Sequence, residues 1–126
     1  MESKKIVIGI VKNGEDVLII KRAKKEQDLI WGFPGGKIEL GELPEEALVR
    51  EVKEETNLDC RIFKSITKRA HPVHDIEILS YSLEVISGEI KILNISEIEE
   101  VKWINKKDIS KYLKNIDEKV MEEVLR

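Results

Sequence analysis

The sequence of 126 residues is poor in cysteine and contains no long apolar run. A single cysteine, Cys60, excludes an intramolecular disulfide and a cysteine metal cluster, as is usual in a reducing compartment. No apolar run approaches the roughly 20 residues that a membrane span requires, and the first residues lack the apolar stretch and cleavage site of a signal peptide. We therefore expect a cytoplasmic protein with no membrane partner.

Neither sign of charge prevails, because 25 acidic residues stand against 22 basic ones and give a net charge of -3. This balance provides no general attraction to nucleic acid, so any phosphate-binding site must be local. The length and the 41% hydrophobic content suit one compact core, and no repeat or linker divides the chain. We expect a single domain over residues 1–126, and the sequence leaves open whether it is a monomer or a homodimer.

The predicted elements mix strands and helices without a regular alternation. Apolar runs at residues 5–12 and 17–22 flank a turn at Asn13-Gly14-Glu15-Asp16, which is typical of a hairpin. We therefore predict an α+β fold, an α/β/α sandwich with a mixed β-sheet between helices. Further strands are predicted at residues 61–69, 75–86 and 101–104, and helices at residues 44–56, 106–114 and 117–125.

A glycine-rich segment precedes the first predicted helix. Residues 31–37 contain three glycines and one proline, a composition that predicts an irregular loop whose backbone comes close to another group. The helix is predicted to begin at Pro44, which suits a first helical turn, and to end at about Thr56.

Three glutamates of this helix, Glu51, Glu54 and Glu55, are spaced i, i+3 and i+4 and so lie on one strip of its surface. We call them the acidic strip. In a chain with 25 acidic residues such a strip could be an ordinary solvated face. The glycine-rich segment at a short distance favours a site for Mg²⁺ and phosphate, because carboxylates and carbonyls hold this ion while phosphates and waters complete its shell.

These residues resemble a known family motif. Gly36, Glu42 and the run Arg50-Glu51-Val52-Lys53-Glu54-Glu55-Thr56-Asn57-Leu58 match eight of the nine specified positions of the Nudix box, G-x5-E-x7-R-E-U-x-E-E-x-G-U with U apolar. The segment Phe33-Pro34-Gly35-Gly36-Lys37-Ile38-Glu39 is typical of the MutT-like branch of that family. Asn57 replaces the last glycine, and because Asn readily adopts the left-handed conformation, we expect the helix to end there all the same.

The resemblance implies a role for each matching residue. The acidic strip and the carbonyl of Gly35 would hold Mg²⁺, with Mn²⁺ as a substitute. Arg50 would orient a glutamate as part of the catalytic set, although its i+4 spacing to Glu54 also permits an ordinary surface ion pair. Glu42 would connect the loop to the helix.

Members of the family also use an acidic residue before a strand that contains a tryptophan. Glu97 has the matching distance to Trp103, while Glu99 and Glu100 are competing choices. Glu97 is therefore predicted to act in catalysis and to bind metal. The residue that takes the proton of the attacking water is left open between Glu51, Glu54 and Glu97.

Three positions are candidates for substrate binding. Arg22 resembles an arginine that contacts phosphate, although a surface charge is an equal alternative. Phe33 could stack on a base, whereas an aromatic residue beside a Gly-Pro segment more often covers the core. Asn115 falls near the position where the MutT-like branch uses an asparagine amide to read an oxidised guanine, although it could simply be a loop or helix-capping residue. His71 and His74 are predicted to be surface loop histidines.

The implied activity is hydrolysis of a small-molecule nucleotide, yielding a nucleoside monophosphate and pyrophosphate from an unmodified or oxidised nucleoside triphosphate. An ADP-ribose or dinucleoside polyphosphate hydrolase is the alternative enzyme. A non-catalytic, nucleotide-sensing Nudix domain is the alternative of another class, and it would usually have an incomplete set of charged residues in the box. Fold alone does not select among substrates.

Overall fold

The computed structural model describes residues 4–26 and 29–126. Within these ranges, no helix is long and apolar enough to cross a membrane. The strands are β1 (Lys4–Asn13), β2 (Asp16–Glu26), β3 (Leu29–Gly32), β4 (Gly35–Lys37), β5 (Asp59–Ala70), β6 (Ile76–Ser87) and β7 (Ile98–Asn105). The helices are α1 (Pro44–Thr56), α2 (Ile109–Tyr112), which follows a 3₁₀ turn at Lys106–Asp108, and α3 (Glu118–Leu125).

The described strands form one mixed sheet in the order β3-β2-β1-β6-β5, with β4 paired to β1 and β7 paired to β2. Strands β1 and β6 run parallel, from Lys4 opposite Ile76 to Lys12 opposite Glu84. The other described pairings are antiparallel, including the predicted hairpin of β1 and β2. The mixed sheet is therefore confirmed.

Strand β1 is buried on both faces and divides two cores. Val7 and Val11 pack with Leu48 beneath α1, whereas Ile8 and Ile10 belong to the core that includes Val120 of α3. This alternation follows from the two-residue period of a strand, which sends successive side chains to opposite faces. Helices thus cover both faces, and the predicted α/β/α sandwich is confirmed.

The prediction of an irregular loop at residues 31–37 is wrong, because the segment contributes β3 and β4 to the sheet. Strand β4 pairs with β1 and places Gly35 opposite Ile8. A Cβ at Gly35 would overlap the carbonyl oxygen of Val7, so only glycine allows this approach. The glycines do bring backbone close to another group, but they do so within a strand pairing.

Helix α1 has the predicted bounds. At its start, the backbone N–H of Leu43 donates to the Glu46 carboxylate at 2.9 Å. At its end, Asn57 adopts the expected left-handed conformation with φ 70° and ψ 6°, and its N–H donates to the carbonyl of Lys53 at 2.9 Å. The helix predicted at residues 106–114 is shorter, because Leu113 is extended and ends α2 after Tyr112.

Asn57 provides a test of the helix end. Asn57→Gly should keep the stability close to that of the wild type, since glycine adopts the left-handed turn freely and only an exposed amide contact with the Glu89 carbonyl is lost. Asn57→Val should lower the free energy of unfolding by about 1–3 kcal/mol, because a β-branched residue resists that turn. Chemical denaturation measures both changes, and a valine variant as stable as the glycine variant would contradict this account.

Candidate active site

The acidic strip of α1 lies against the glycines of β4. A Cβ at Gly36 would stand 2.5 Å from the carboxylate carbon of Glu51, so the absence of a side chain leaves room for this carboxylate. The structure therefore brings together the acidic strip and the β4 glycines, although Glu51 lies fifteen positions after Gly36 in the sequence.

Glu55 is the most buried member of the strip, with 6% of its surface exposed. One carboxylate oxygen accepts a hydrogen bond from the Gly35 N–H at 2.8 Å, and the other accepts one from the Arg22 guanidinium at 2.7 Å. Arg22 also donates to the carbonyl oxygen of Gly35 at 3.3 Å. Arg22 thus contacts two of the oxygen donors that the sequence assigned to a metal.

Arg50 gathers the remaining carboxylates. Its guanidinium donates twice to Glu42, at 2.8 and 2.9 Å, and also donates to Glu51 at 3.1 Å and to Glu54 at 3.4 Å. The hydrogen bonds from Arg50 lower the pKa of Glu42 to about 2, and Glu42 in turn raises the pKa of Arg50. The expected contact with Glu54 is present, but the two-point pair with Glu42 is shorter and connects the β4–α1 loop to the helix.

Burial opposes ionisation of the two inner carboxylates. It raises the pKa of Glu51, and the nearby charge of Glu55 adds to the effect. Burial also raises the pKa of Glu55, although Arg22 and the Gly35 N–H act in the opposite direction. Negative charge is therefore held here against a desolvation penalty that a bound cation would offset.

Within residues 4–26 and 29–126, no group of three acidic, histidine or cysteine side chains is gathered tightly enough to enclose a metal ion. The contacts with Arg22 and Arg50 occupy the carboxylates instead. The chemistry of the donors nevertheless fits Mg²⁺, because this hard cation takes carboxylate, carbonyl and water oxygens. The oxygens available to it are those of the acidic strip and of the Gly35 carbonyl.

Glu97 lies immediately before β7, where its carbonyl accepts a hydrogen bond from the N–H of Ala23 at 2.8 Å. Its charge contributes to the raised pKa of Glu55. The competing residues have lysine partners, Glu99 at 3.7 Å from Lys21 and Glu100 at 3.8 Å from Lys102. The structure thus places the charge of Glu97 near the acidic strip.

A cavity of about 350 Å³ opens on the sheet face opposite α1. All three residues considered for substrate binding line it, namely Arg22, Phe33 and Asn115. Phe33 is only 8% exposed and belongs to the core of that face, so it covers the core and lines the cavity at once. Asn115 lies between α2 and α3 with a positive φ of 54°.

Sequence reasoning missed three further residues of this cavity, Tyr112, Arg69 and Ser80. Trp31 and Tyr112 form an edge-on aromatic pair with ring centroids 5.4 Å apart, and Arg69 and Ser80 also line the space. Arg69 and Ser80 could have been placed in the cavity only from the pairing of β5 with β6, which a single sequence does not supply. His71 and His74 lie in the connection between those strands, as the sequence predicted.

Comparison with known proteins identifies a family pattern. The pattern described as NUDIX domain matches residues 3–124. The chain is 36% identical over 89 residues to an ADP-ribose pyrophosphatase from Methanocaldococcus jannaschii, covering 68% of this chain and 53% of the relative. It is 35% identical over 77 residues to an 8-oxo-dGTP diphosphatase from Escherichia coli, covering 60% of each. The matched region is thus little more than half the length of these relatives.

Solved structures share the fold. A NUDIX hydrolase from Nitrosomonas europaea superimposes with a TM-score of 0.84 at 20% identity, covering 98% of this chain and 71% of that one. A NUDIX family hydrolase from Clostridium perfringens gives a TM-score of 0.76 at 24% identity, covering 99% and 97%. At these identities the likeness concerns the fold alone.

The two glycines of β4 should respond differently to substitution. Gly36→Ala should weaken Mn²⁺ binding by about tenfold or more, because the added Cβ displaces the flexible end of Glu51, while the melting temperature changes little. Gly35→Ala should instead destabilise the fold, because its Cβ meets the backbone of β1. Thermal melts and Mn²⁺ titration followed by electron paramagnetic resonance separate the two effects. Wild-type Mn²⁺ affinity in Gly36→Ala would contradict the assigned position of Glu51.

Proposed function

The chain belongs to the Nudix family, and from the geometry of its site we propose that it is a Mg²⁺-dependent pyrophosphohydrolase acting on a nucleotide. The observation that carries the proposal is the acidic strip lying over the β4 glycines, with its charged partners complete from Glu42 to Glu55. A nucleotide-sensing domain without turnover is the less favoured alternative, since it would not require this full set.

The proposed substrate is an unmodified or oxidised nucleoside triphosphate, which would yield a nucleoside monophosphate and pyrophosphate. The aromatic-walled cavity supports this choice, because its volume of about 350 Å³ suits a base and Arg22 borders both the cavity and the strip. The name of the Escherichia coli relative agrees with it. ADP-ribose is the second candidate, favoured by the name of the Methanocaldococcus jannaschii relative, and dinucleoside polyphosphates are a further alternative.

The acidic strip and the Gly35 carbonyl would hold the divalent ions. When bound, such ions neutralise diphosphate oxygens, stabilise the leaving group and make a bound water more acidic. Arg50 keeps Glu51 and Glu54 directed to the same side of α1 through its contacts with both. Arg22, which pairs with Glu55 in this structure, would turn to a substrate phosphate oxygen when cations take over the charge of that carboxylate.

Hydrolysis also requires a proton acceptor for the attacking water. A carboxylate oxygen of Glu51, Glu54 or Glu97 would take that proton as the water oxygen bonds to phosphorus and the phosphoanhydride P–O bond to the leaving group breaks. Glu54 and Glu97 are exposed, Glu51 is partly buried, and the proton acceptor is one of these three residues.

Product analysis tests the proposed reaction. The protein is incubated with Mg²⁺ and a library of nucleoside triphosphates, dinucleoside polyphosphates and ADP-ribose, and the products are separated by chromatography. A nucleoside monophosphate with pyrophosphate is expected from a triphosphate, and exhaustive chelation with EDTA should abolish turnover until Mg²⁺ or Mn²⁺ is restored. Full activity in metal-free protein would refute the metal-dependent mechanism.

Glu54→Gln is the sharpest single substitution in the acidic strip. It keeps the shape of the side chain but removes a charge assigned to the metal, so turnover should fall by about two or more orders of magnitude. The melting temperature without metal should stay level or rise, because like charges on the strip repel one another.

Lys53→Gln is the matched control on the same helix. Lys53 faces Asp59 at 3.2 Å in an exposed pair, which contributes at most about 1 kcal/mol to stability. The Lys53→Gln variant should hydrolyse nucleotides at the wild-type rate. An equal loss of activity in both variants would show that the acidic strip is an ordinary solvated face.

A further inference from the structure

Two polar atoms in the wall of the cavity lack hydrogen-bond partners among the described residues. Ser80 is fully buried in β6, and its hydroxyl oxygen has no partner in the described part of the chain. The Nε atom of Arg69 in β5 is likewise shielded from solvent and makes no hydrogen bond to a described residue. An unsatisfied buried polar group costs about 1–3 kcal/mol, so both atoms are expected to meet a partner from whatever fills the cavity.

The strand pairing places these two residues together on the floor of the cavity. Ser80 is opposite Ile8 of β1 and Thr67 of β5. Arg69 follows Thr67 by two positions, and residues two apart in a strand point to the same face. Arg69 and Ser80 are therefore diagonal neighbours, a relation in which long side chains reach one another.

Asp117 limits the position of the Arg69 guanidinium. Its Oδ1 atom lies 3.5 Å from Nε of Arg69, which is an ion pair but is too long for an ordinary hydrogen bond. Its Oδ2 atom caps α3 by accepting from the N–H groups of Lys119 and Val120 at 3.1 and 3.3 Å. The carboxylate is thus held in place by the helix, and the cavity presents a donor, Arg69 Nε–H, beside an acceptor, Asp117 Oδ1.

We propose that Arg69, together with Asp117, determines the base specificity of this cavity by selecting a lactam edge, a carbonyl oxygen next to a ring N–H. This inference rests on the proposed function, because it takes the occupant to be the base of a nucleotide. A 6-oxopurine offers its carbonyl oxygen to the Arg69 N–H and its N1–H to the Asp117 carboxylate. The Ser80 hydroxyl can donate to the same carbonyl oxygen, and because a hydroxyl also accepts, it adds affinity without selecting between an oxo and an amino group.

Adenine presents the opposite pattern. Its 6-amino group would direct a donor at the Arg69 donor, and its unprotonated N1 would direct a lone pair at the Asp117 carboxylate. A site that is built to hydrogen-bond one pattern rejects the other because its buried groups then stay unpaired. The protein should therefore favour 6-oxopurine nucleotides over 6-aminopurine nucleotides.

Inosine and adenosine nucleotides are matched probes of this edge. Calorimetry with IMP and AMP in EDTA measures binding to the cavity without turnover, and kcat/KM for ITP and ATP with Mg²⁺ measures selection during hydrolysis. Wild-type protein is expected to favour the inosine member by about tenfold or more in both assays. Arg69→Gln and Asp117→Asn should each reduce that ratio, the arginine variant to within about threefold of unity.

Arg61→Gln is the control, because Arg61 lies on the same strand but is exposed and pairs with Glu84 at 2.8 Å. It should keep the wild-type ratio. If thermal melts show that Arg69→Gln does not fold, Asp117→Asn, which keeps a side-chain oxygen to cap α3, decides the test. A merely structural role would lower both affinities together and leave their ratio unchanged.

The outcomes separate this inference from the proposed function. Hydrolysis of ITP and ATP at equal efficiency, absence of IMP binding up to millimolar concentration, or an unchanged ratio in both variants would overturn the specificity assignment. Selective binding of IMP without hydrolysis of any nucleotide would support the assignment and refute the proposed function.

Discussion

The acidic strip concentrates negative charge at the junction of helix and sheet, and the pairing of that charge with two arginines is the interaction on which the site depends. Arg22 meets the buried Glu55 at 2.7 Å, and Arg50 spans Glu42, Glu51 and Glu54. Without such partners, each buried carboxylate would carry its desolvation penalty uncompensated. The arginines thus allow the protein to fold with its proposed metal ligands already close to one another.

Strand β1 connects this charge arrangement to the cavity. On one face, Val7 supports α1, and the β4 glycines bring backbone within reach of the acidic strip. On the other face, Ile8 lies in the same sheet row as Ser80 and borders the cavity. Arg22 touches both regions, so the proposed diphosphate and base positions are joined by one central strand and one side chain.

Local spacing in the sequence predicted the bounds of α1, its left-handed end at Asn57 and the grouping of the acidic strip. These features depend on residues within a few turns of one another, so a single sequence contains them. The pairing of β4 with β1 depends on strand register, which a single sequence does not reveal. The same holds for the proximity of Arg69 to Ser80, because irregularities in β5 shift its register against β6. The part of the cavity wall between α2 and α3 also depends on tertiary packing, and the helix predicted at residues 106–114 is longer than the observed α2.

The central claim is that Arg22 and Arg50 balance the acidic strip until divalent cations take over its charge and release Arg22. Nitrogen-15 NMR of the arginine side chains measures this exchange directly, with the two Nε–H signals assigned through Arg22→Lys and Arg50→Lys variants. Saturation with Mg²⁺ is expected to shift both signals, that of Arg22 most, as its contact with Glu55 is released. Signals that stay unchanged at saturating Mg²⁺ would contradict this claim.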